Sequence, residues 1–226
     1  MISKSRMMMF FGAIFLCVPL QAEIVCINFQ SIVTVDFSNG PCAGLSDVGQ
    51  IVTGRICYDD SVLDSDPVVG EGRFVDAISS FEFNVGSVMG SVDASQFMIN
   101  TTDSDSTSGP EGLLISLLNT SSMQVPASMN IDLTGLFFDL TNTGSPVFSD
   151  PDSLAGIAGI FDQFDQATSR FSAIGSCTDP SDPGSSGIFG FDAQIQQVSL
   201  VPEPGSLTMF VAGLSIFFLR LRNRQS

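Results

Sequence analysis

The chain contains no histidine and no tryptophan, a single tyrosine (Tyr58), and only 8 Lys+Arg among 226 residues. Without histidine there is no Ser-His-Asp or Cys-His catalysis and no His-containing zinc site. Without tryptophan, a sugar-stacking platform lacks the side chains that join a flat apolar face to a polar edge. The few cations also sit in the wrong places for nucleic acid. Lys4 and Arg6 open the chain and Arg220, Arg222 and Arg224 close it. Residues 23–201 hold only Arg55, Arg73 and Arg170 against 23 of the 24 acids, a formal charge of −20. A body this acidic repels phosphate backbones, which excludes a nucleic-acid partner. A nucleophile elbow, a Walker A loop, a dinucleotide-binding glycine run and an Asp-Thr/Ser-Gly tripeptide are all missing. A glycosidase needs only two well-placed carboxylates, and among so many no pair stands out. The expectation is a protein that is not an enzyme, with no catalytic residue.

The two ends of the chain are addresses. Lys4 and Arg6 precede an apolar run from Met7 to Leu20, and Leu20-Gln21-Ala22 forms a small-residue cleavage site. Residues 1–22 therefore read as a secretory signal cut by signal peptidase after Ala22. At the other end, Val201-Pro202-Glu203-Pro204-Gly205 is stiff and turn-prone, because each proline fixes its own φ and biases its predecessor away from helix. Leu207 to Leu219 is a 13-residue apolar stretch, short for an independent membrane span. Arg220, Arg222 and Arg224 follow, and positive charge favours the cytoplasmic side. Residues 201–226 thus hold the chain in a membrane by one short hydrophobic helix, either until a protease cuts it or as a permanent tail anchor.

That tail, VPEPGSLTMFVAGLSIFFLRLRNR, resembles the PEP-CTERM sorting signal of Gram-negative bacteria: a Val-Pro-Glu-Pro motif, a short hydrophobic helix and a basic end, in that order. The resemblance covers about the last 26 residues, with three separated arginines where many relatives have an unbroken basic run. It implies recognition and cleavage by an exosortase near Pro202-Glu203-Pro204. It also implies transient residence in the inner membrane, then release to the cell envelope, cell surface or extracellular (biofilm) polysaccharide matrix. A second stretch is similar to one in many exported bacterial proteins that carry this tail. Its pattern falls here on Gly54, Tyr58, Asp59, Asp66, Pro67, Gly72, Phe74, Ala77, Ile78, Ser80, Phe81, Phe83 and Val85. This resemblance implies an uncharacterised β-rich domain and brings no activity with it.

Between the addresses, residues 23–200 form one body. Cys17 leaves with the signal, so four cysteines remain: Cys26, Cys42, Cys57 and Cys177. An even number in an exported chain implies two disulfides, with three connectivities open. The turn at Asn39-Gly40-Pro41 favours Cys26–Cys42, which leaves Cys57–Cys177. A Cys₄ zinc site is disfavoured by the absence of any Cys-x-x-Cys pair. Apolar residues alternate over short runs: Ile24 to Phe29, Ile32 to Phe37, Ile51 to Tyr58, Ala77 to Val85, Phe97 to Asn100, Leu113 to Leu118, Ile131 to Leu140, Arg170 to Ile174 and Ile188 to Leu200. Period two sends one set of side chains inward and the other outward. About nine such strands with turn residues between them predict an all-β fold, an antiparallel β-sandwich with a core of phenylalanine. Leu154 to Thr168 instead spaces Ile157, Ile160, Phe161 and Phe164 as a short helix would.

Aspartate-rich loops are the remaining candidates for chemistry. Asp59, Asp60, Asp64 and Asp66 lie within eight residues, and Asp103/Asp105, Asp150/Asp152 and Asp179/Asp182 repeat the theme. Calcium takes six to eight oxygens, so the Asp59–Asp66 loop is a candidate Ca²⁺ site. Turn chemistry explains the same residues without a metal and is the favoured reading. An EF-hand register from Asp103 fails, with Ser108 at the glycine position and Leu114 at the bidentate glutamate. Two functions remain. The first is a non-enzymatic envelope or exopolysaccharide-matrix protein; the alternative is a secreted Ca-dependent carbohydrate-binding or hydrolytic module that uses loop aspartates.

Overall fold

A computed structural model describes residues 24–66, 68, 71–92, 97–102, 111–117, 121–122, 130–143, 147–148, 150, 152–154 and 157–201. They form mostly antiparallel β-structure, in eleven strands: β1 (Ile24–Asp36), β2 (Ile51–Asp59), β3 (Glu71–Val75), β4 (Ile78–Val85), β5 (Val88–Val92), β6 (Phe97–Thr102), β7 (Glu111–Leu117), β8 (Ser121–Ser122), β9 (Asn130–Asn142), β10 (Arg170–Asp179) and β11 (Asp182–Leu200). Ten of them make one continuous path, β3-β6-β7-β9-β10-β11-β1-β2-β4-β5, and β8 pairs with β9. The first and last strands of the body lie side by side, paired from Ile27 opposite Leu200 to Asp36 opposite Phe191 with two register shifts between.

This row of strands cannot lie flat. β3 stands at one end of the path and β4 next to the other end, yet only Asp76 and Ala77 connect them. The three steps from Val75 to Ile78 reach roughly 10 Å, at about 3.5 Å per residue. The sheet must therefore curl until its two ends meet, which gives a sandwich-like body closed around one core. Asp76, at φ 59, is the one non-glycine residue with positive φ among those described. Phenylalanines fill the interior. The Phe29 ring lies 5.0 Å from Phe138, 5.0 Å from Phe171 and 6.0 Å from Phe81, so β1, β9, β10 and β4 face one another across it. Phe83, Phe189 and Phe191 extend the cluster in edge-to-face contacts.

The phenylalanines fit because glycines stand opposite them. Gly54 pairs with Phe29 from β1 and with Phe83 from β4, and a Cβ added there would meet the Phe29 ring. Gly90 pairs with Phe83, whose Cδ1 would lie 2.8 Å from such a Cβ. Each ring covers its partner's bare backbone and occupies the volume that a side chain would claim.

Several expectations change. Ile24 to Phe29 and Ile32 to Phe37 are one strand, β1, because Gln30-Ser31 is a register slip rather than a turn, with the Ser31 side chain buried. β3, β5 and β8 were not expected. β5 had a legible signal: Val85 pairs with Val88 around a two-residue Gly86-Ser87 loop, with Gly86 at φ 55. The expected helix is a 3-10 helix over Ile157–Gln163, and no α-helix occurs among the described residues. Ile157, Phe161 and Phe164 are buried and Ile160 is half-buried against the core, but glycines at 156 and 159 weaken a longer α-helix. No helix among the described residues is long and apolar enough to cross a membrane, and the apolar stretch 207–219 lies outside them.

All four body cysteines are bonded, but as Cys26–Cys57 and Cys42–Cys177, not as Cys26–Cys42 and Cys57–Cys177. The turn after β1 does fold the chain back, but in the wrong place for the expected pair. Cys26 sits ten residues before the end of β1, roughly 33 Å away at about 3.3 Å per residue. Its direct cross-strand partner is Cys57, at a Cα–Cα distance of 4.1 Å. Cys42, in the 3-10 turn Gly40–Cys42, then reaches Cys177 on β10. Two such bonds point to an oxidising, extracytoplasmic compartment.

Candidate functional site

The aspartate loops are built by turn chemistry. Asp59 Oδ1 accepts from the Ser61 N–H (2.9 Å) and hydroxyl (2.6 Å). Asp64 Oδ1 accepts from the Asp66 N–H (2.8 Å) and, across the loop, from the Arg73 N–H of β3 (2.7 Å). Asp66 Oδ1 accepts from the Val68 N–H (2.9 Å). The same i to i+2 bond recurs at Asp36, Asp150, Asp165, Asp179 and Asp182. At Asp179, in the β10–β11 hairpin, the Ser181 hydroxyl and backbone N–H hold the carboxyl below the usual carboxylate range. Each carboxylate thus serves the turn beside it. Among the described residues no group of three acidic or cysteine side chains gathers to hold a metal ion, so Asp59, Asp60, Asp64 and Asp66 are not brought to a common point. Asp103 and Asp105 lie outside the described residues.

Polar side chains do converge elsewhere, on the outer face of β11, β1, β2 and β4. Ile27, Phe29, Val52, Ile56, Phe81 and Phe83 point into the core and Val198 packs against it, so the polar residues beside them point out. Register then places Gln197, Gln30, Thr53 and Asn84 in one row across the four strands. Ser199, Asn28, Arg55 and Glu82 form the next row. Three strand spacings of about 4.8 Å make each row roughly 14 Å long. A groove of about 390 Å³ runs along these rows, with Phe29 and Gly54 also lining it. The β1–β11 register slips between Gln30 and Ser31, at the groove. A bulge bends its strand and increases the local twist.

The groove differs in kind from the aspartate loops. Among the described residues, none of its eight polar side chains has a hydrogen-bond or ion-pair partner within the chain. Their donors and acceptors are left to whatever enters. Arg55 stands directly between Asn28 and Glu82, and the groove carries one positive and one negative group in a body of charge −20. Sequence reasoning noted Arg55 only as a scarce cation and missed the other seven. The alternation around Asn28, Thr53 and Glu82 marks each as outward-facing; nothing local says that these strands are neighbours.

Most of the described apolar and glycine positions of the pattern at 52–86 serve packing. Gly54 makes room for Phe29, and Phe74, Ala77, Ile78, Phe81, Phe83 and Val85 are all buried. Tyr58 is 2 % exposed, and its hydroxyl meets no partner among the described residues. Burial, reinforced by the charge of Asp60, pushes its pKa above the ordinary phenol range. Of the residues expected to direct sorting, Val201 closes the described chain, its N–H donating to the Cys26 carbonyl (2.9 Å). Ala22, Pro202, Glu203, Pro204, Arg220, Arg222 and Arg224 lie outside the described residues. Compared with family models, with curated proteins and with solved structures, the chain finds no match in any of the three.

Proposed function

We propose that this is an exported, non-enzymatic protein of the cell envelope or exopolysaccharide matrix, delivered there by its own C-terminal tail. The observation that carries the reading is the order of parts in residues 201–226: a Pro-Glu-Pro plug, a 13-residue apolar stretch and three arginines. Signal peptidase removes 1–22 and an exosortase cuts near Pro202-Glu203-Pro204, so the hydrophobic helix at 207–219 holds the chain in the membrane only until then. Two disulfides agree with a destination outside the cytoplasm. The body is a β-sandwich, its sheet curled over the phenylalanine core. Its non-enzymatic character rests on the missing catalytic motifs and histidine. Its acidity keeps it soluble and repels phosphate-bearing partners.

The test is the intact mass of the native protein, taken separately from the membrane and extracellular fractions of its host. A chain that starts at Glu23, ends near Pro204 and lies outside the membrane is the expected result. A chain that retains Arg224 and is found only in membranes would mean a permanent tail anchor and would end the exosortase reading.

A further inference from the structure

We infer that the groove across β11, β1, β2 and β4 is a calcium-independent binding site for a neutral polysaccharide strand. The inference rests on the matrix reading above for the source of the ligand, and on the groove alone for its chemistry. Asn28, Gln30, Asn84 and Gln197 are primary amides, each of which donates and accepts. A sugar hydroxyl also donates and accepts, so amides arrayed in rows match a polyhydroxylated chain where a line of carboxylates or ammonium groups would not. The groove is open and roughly 14 Å long at about 4.8 Å per strand, a shape that suits a segment of a linear chain lying across the strands.

Charge selects within that class. Arg55 and Glu82 are direct cross-strand neighbours in the groove and cancel formally. The surrounding body at −20 then repels an acidic glycan at long range and leaves a neutral one unaffected. Phe29 is 3 % exposed and turned to the core, so it offers no stacking face to a ligand. Recognition therefore rests on hydrogen bonds to side chains that have no competing partners among the described residues, and a single segment binds weakly. Repeated segments on one polysaccharide, and many copies of the protein along it, supply avidity.

The experiment uses the full chain, exported so that its disulfides form and purified in detergent. It is run through native gels that contain a soluble neutral glucan, galactomannan or xylan, with alginate as the acidic comparison. At least one neutral polymer should retard the protein at physiological salt, equally with calcium or with EDTA, and alginate should not. Asn28→Ala combined with Asn84→Ala should weaken retardation at least ten-fold, as should Arg55→Ala combined with Gln30→Ala. Thr178→Ala, exposed on β10 away from the groove, should leave it unchanged. These side chains are outside the core, so thermal midpoints close to that of the parent will show that the variants are folded. No retardation by any neutral polymer would overturn the inference, as would equal retardation of the groove variants, loss of binding in EDTA or preference for alginate. None of these results bears on where the native chain is cut or found, so the sorting reading stands or falls separately by the mass measurement.

Discussion

Gly54→Ala should destabilise the body by about 2 kcal/mol, and the reason lies in Phe29. A Cβ at position 54 would run into the Phe29 ring and approach the Glu82 carbonyl oxygen at 2.7 Å. The ring has little room to retreat, with Phe138 and Phe171 both at 5.0 Å and Phe81 at 6.0 Å. Extra volume in a packed core costs roughly 1–3 kcal/mol, and the crowding here belongs near the upper end. Replacing glycine in a strand returns about 0.5–1 kcal/mol of backbone entropy, which leaves the net near 2. For a body of this size that lowers the thermal midpoint by about 4–8 °C, at roughly 2–4 °C per kcal/mol. Phe29→Ala alone should cost about 3–5 kcal/mol. In the double variant the alanine at 54 points into the space the ring has left. The ring clash disappears and the Glu82 part stays, so the double should cost less than the sum by about 1–2 kcal/mol. Urea unfolding followed by circular dichroism on the four chains of the cycle measures this directly. Additivity within about 0.5 kcal/mol would refute the claim that the ring occupies the glycine's side-chain space.

Three further predictions follow from the structure. Tyr58→Phe removes a buried hydroxyl that has no partner among the described residues, so it should be neutral or stabilising by about 1 kcal/mol. Because the folded phenol holds its proton more tightly than the unfolded one, parent stability should fall as pH rises past about 10, and the variant should lack that alkaline loss. Removing Cys42–Cys177 should cost more than removing Cys26–Cys57, about 5 against about 4 kcal/mol by loop-closure entropy. Denaturant midpoints of the two paired serine variants decide this, and non-reducing peptide mapping that found Cys26–Cys42 would overturn it. Asp139 lies opposite Arg170 on β10, but burial outweighs the guanidinium and raises its pKa. The fold therefore binds that proton more tightly than the unfolded chain does, and its contribution is lost as pH rises through the carboxylate range. Asp139→Asn should flatten this part of the stability–pH curve, and an unchanged slope in acid-range unfolding would refute it.

The single strand from Ile24 to Asp36 shows how local and long-range information divide. Its alternation of Ile27, Phe29 and Val33 inward with Asn28 and Gln30 outward is legible in sequence, because a pleated strand imposes period two on its own residues. The same reasoning reaches the all-β class, the phenylalanine core and the even set of body cysteines, which follow from composition and from patterns within short stretches of chain. It reads aspartates as turn formers for the same reason, since an Asx turn closes within three residues. Whether Cys26 meets Cys42 or Cys57 is a different kind of question. It depends on the strand continuing ten residues past Cys26 before the chain turns, and on β2 returning in register. The groove is further still from sequence: Gln30 and Gln197 are 167 residues apart, and Asn84 arrives from two strands away. Outward polar positions look alike on every strand. Only the strand order, set by how the curled sheet buries its phenylalanines, decides which of them become neighbours.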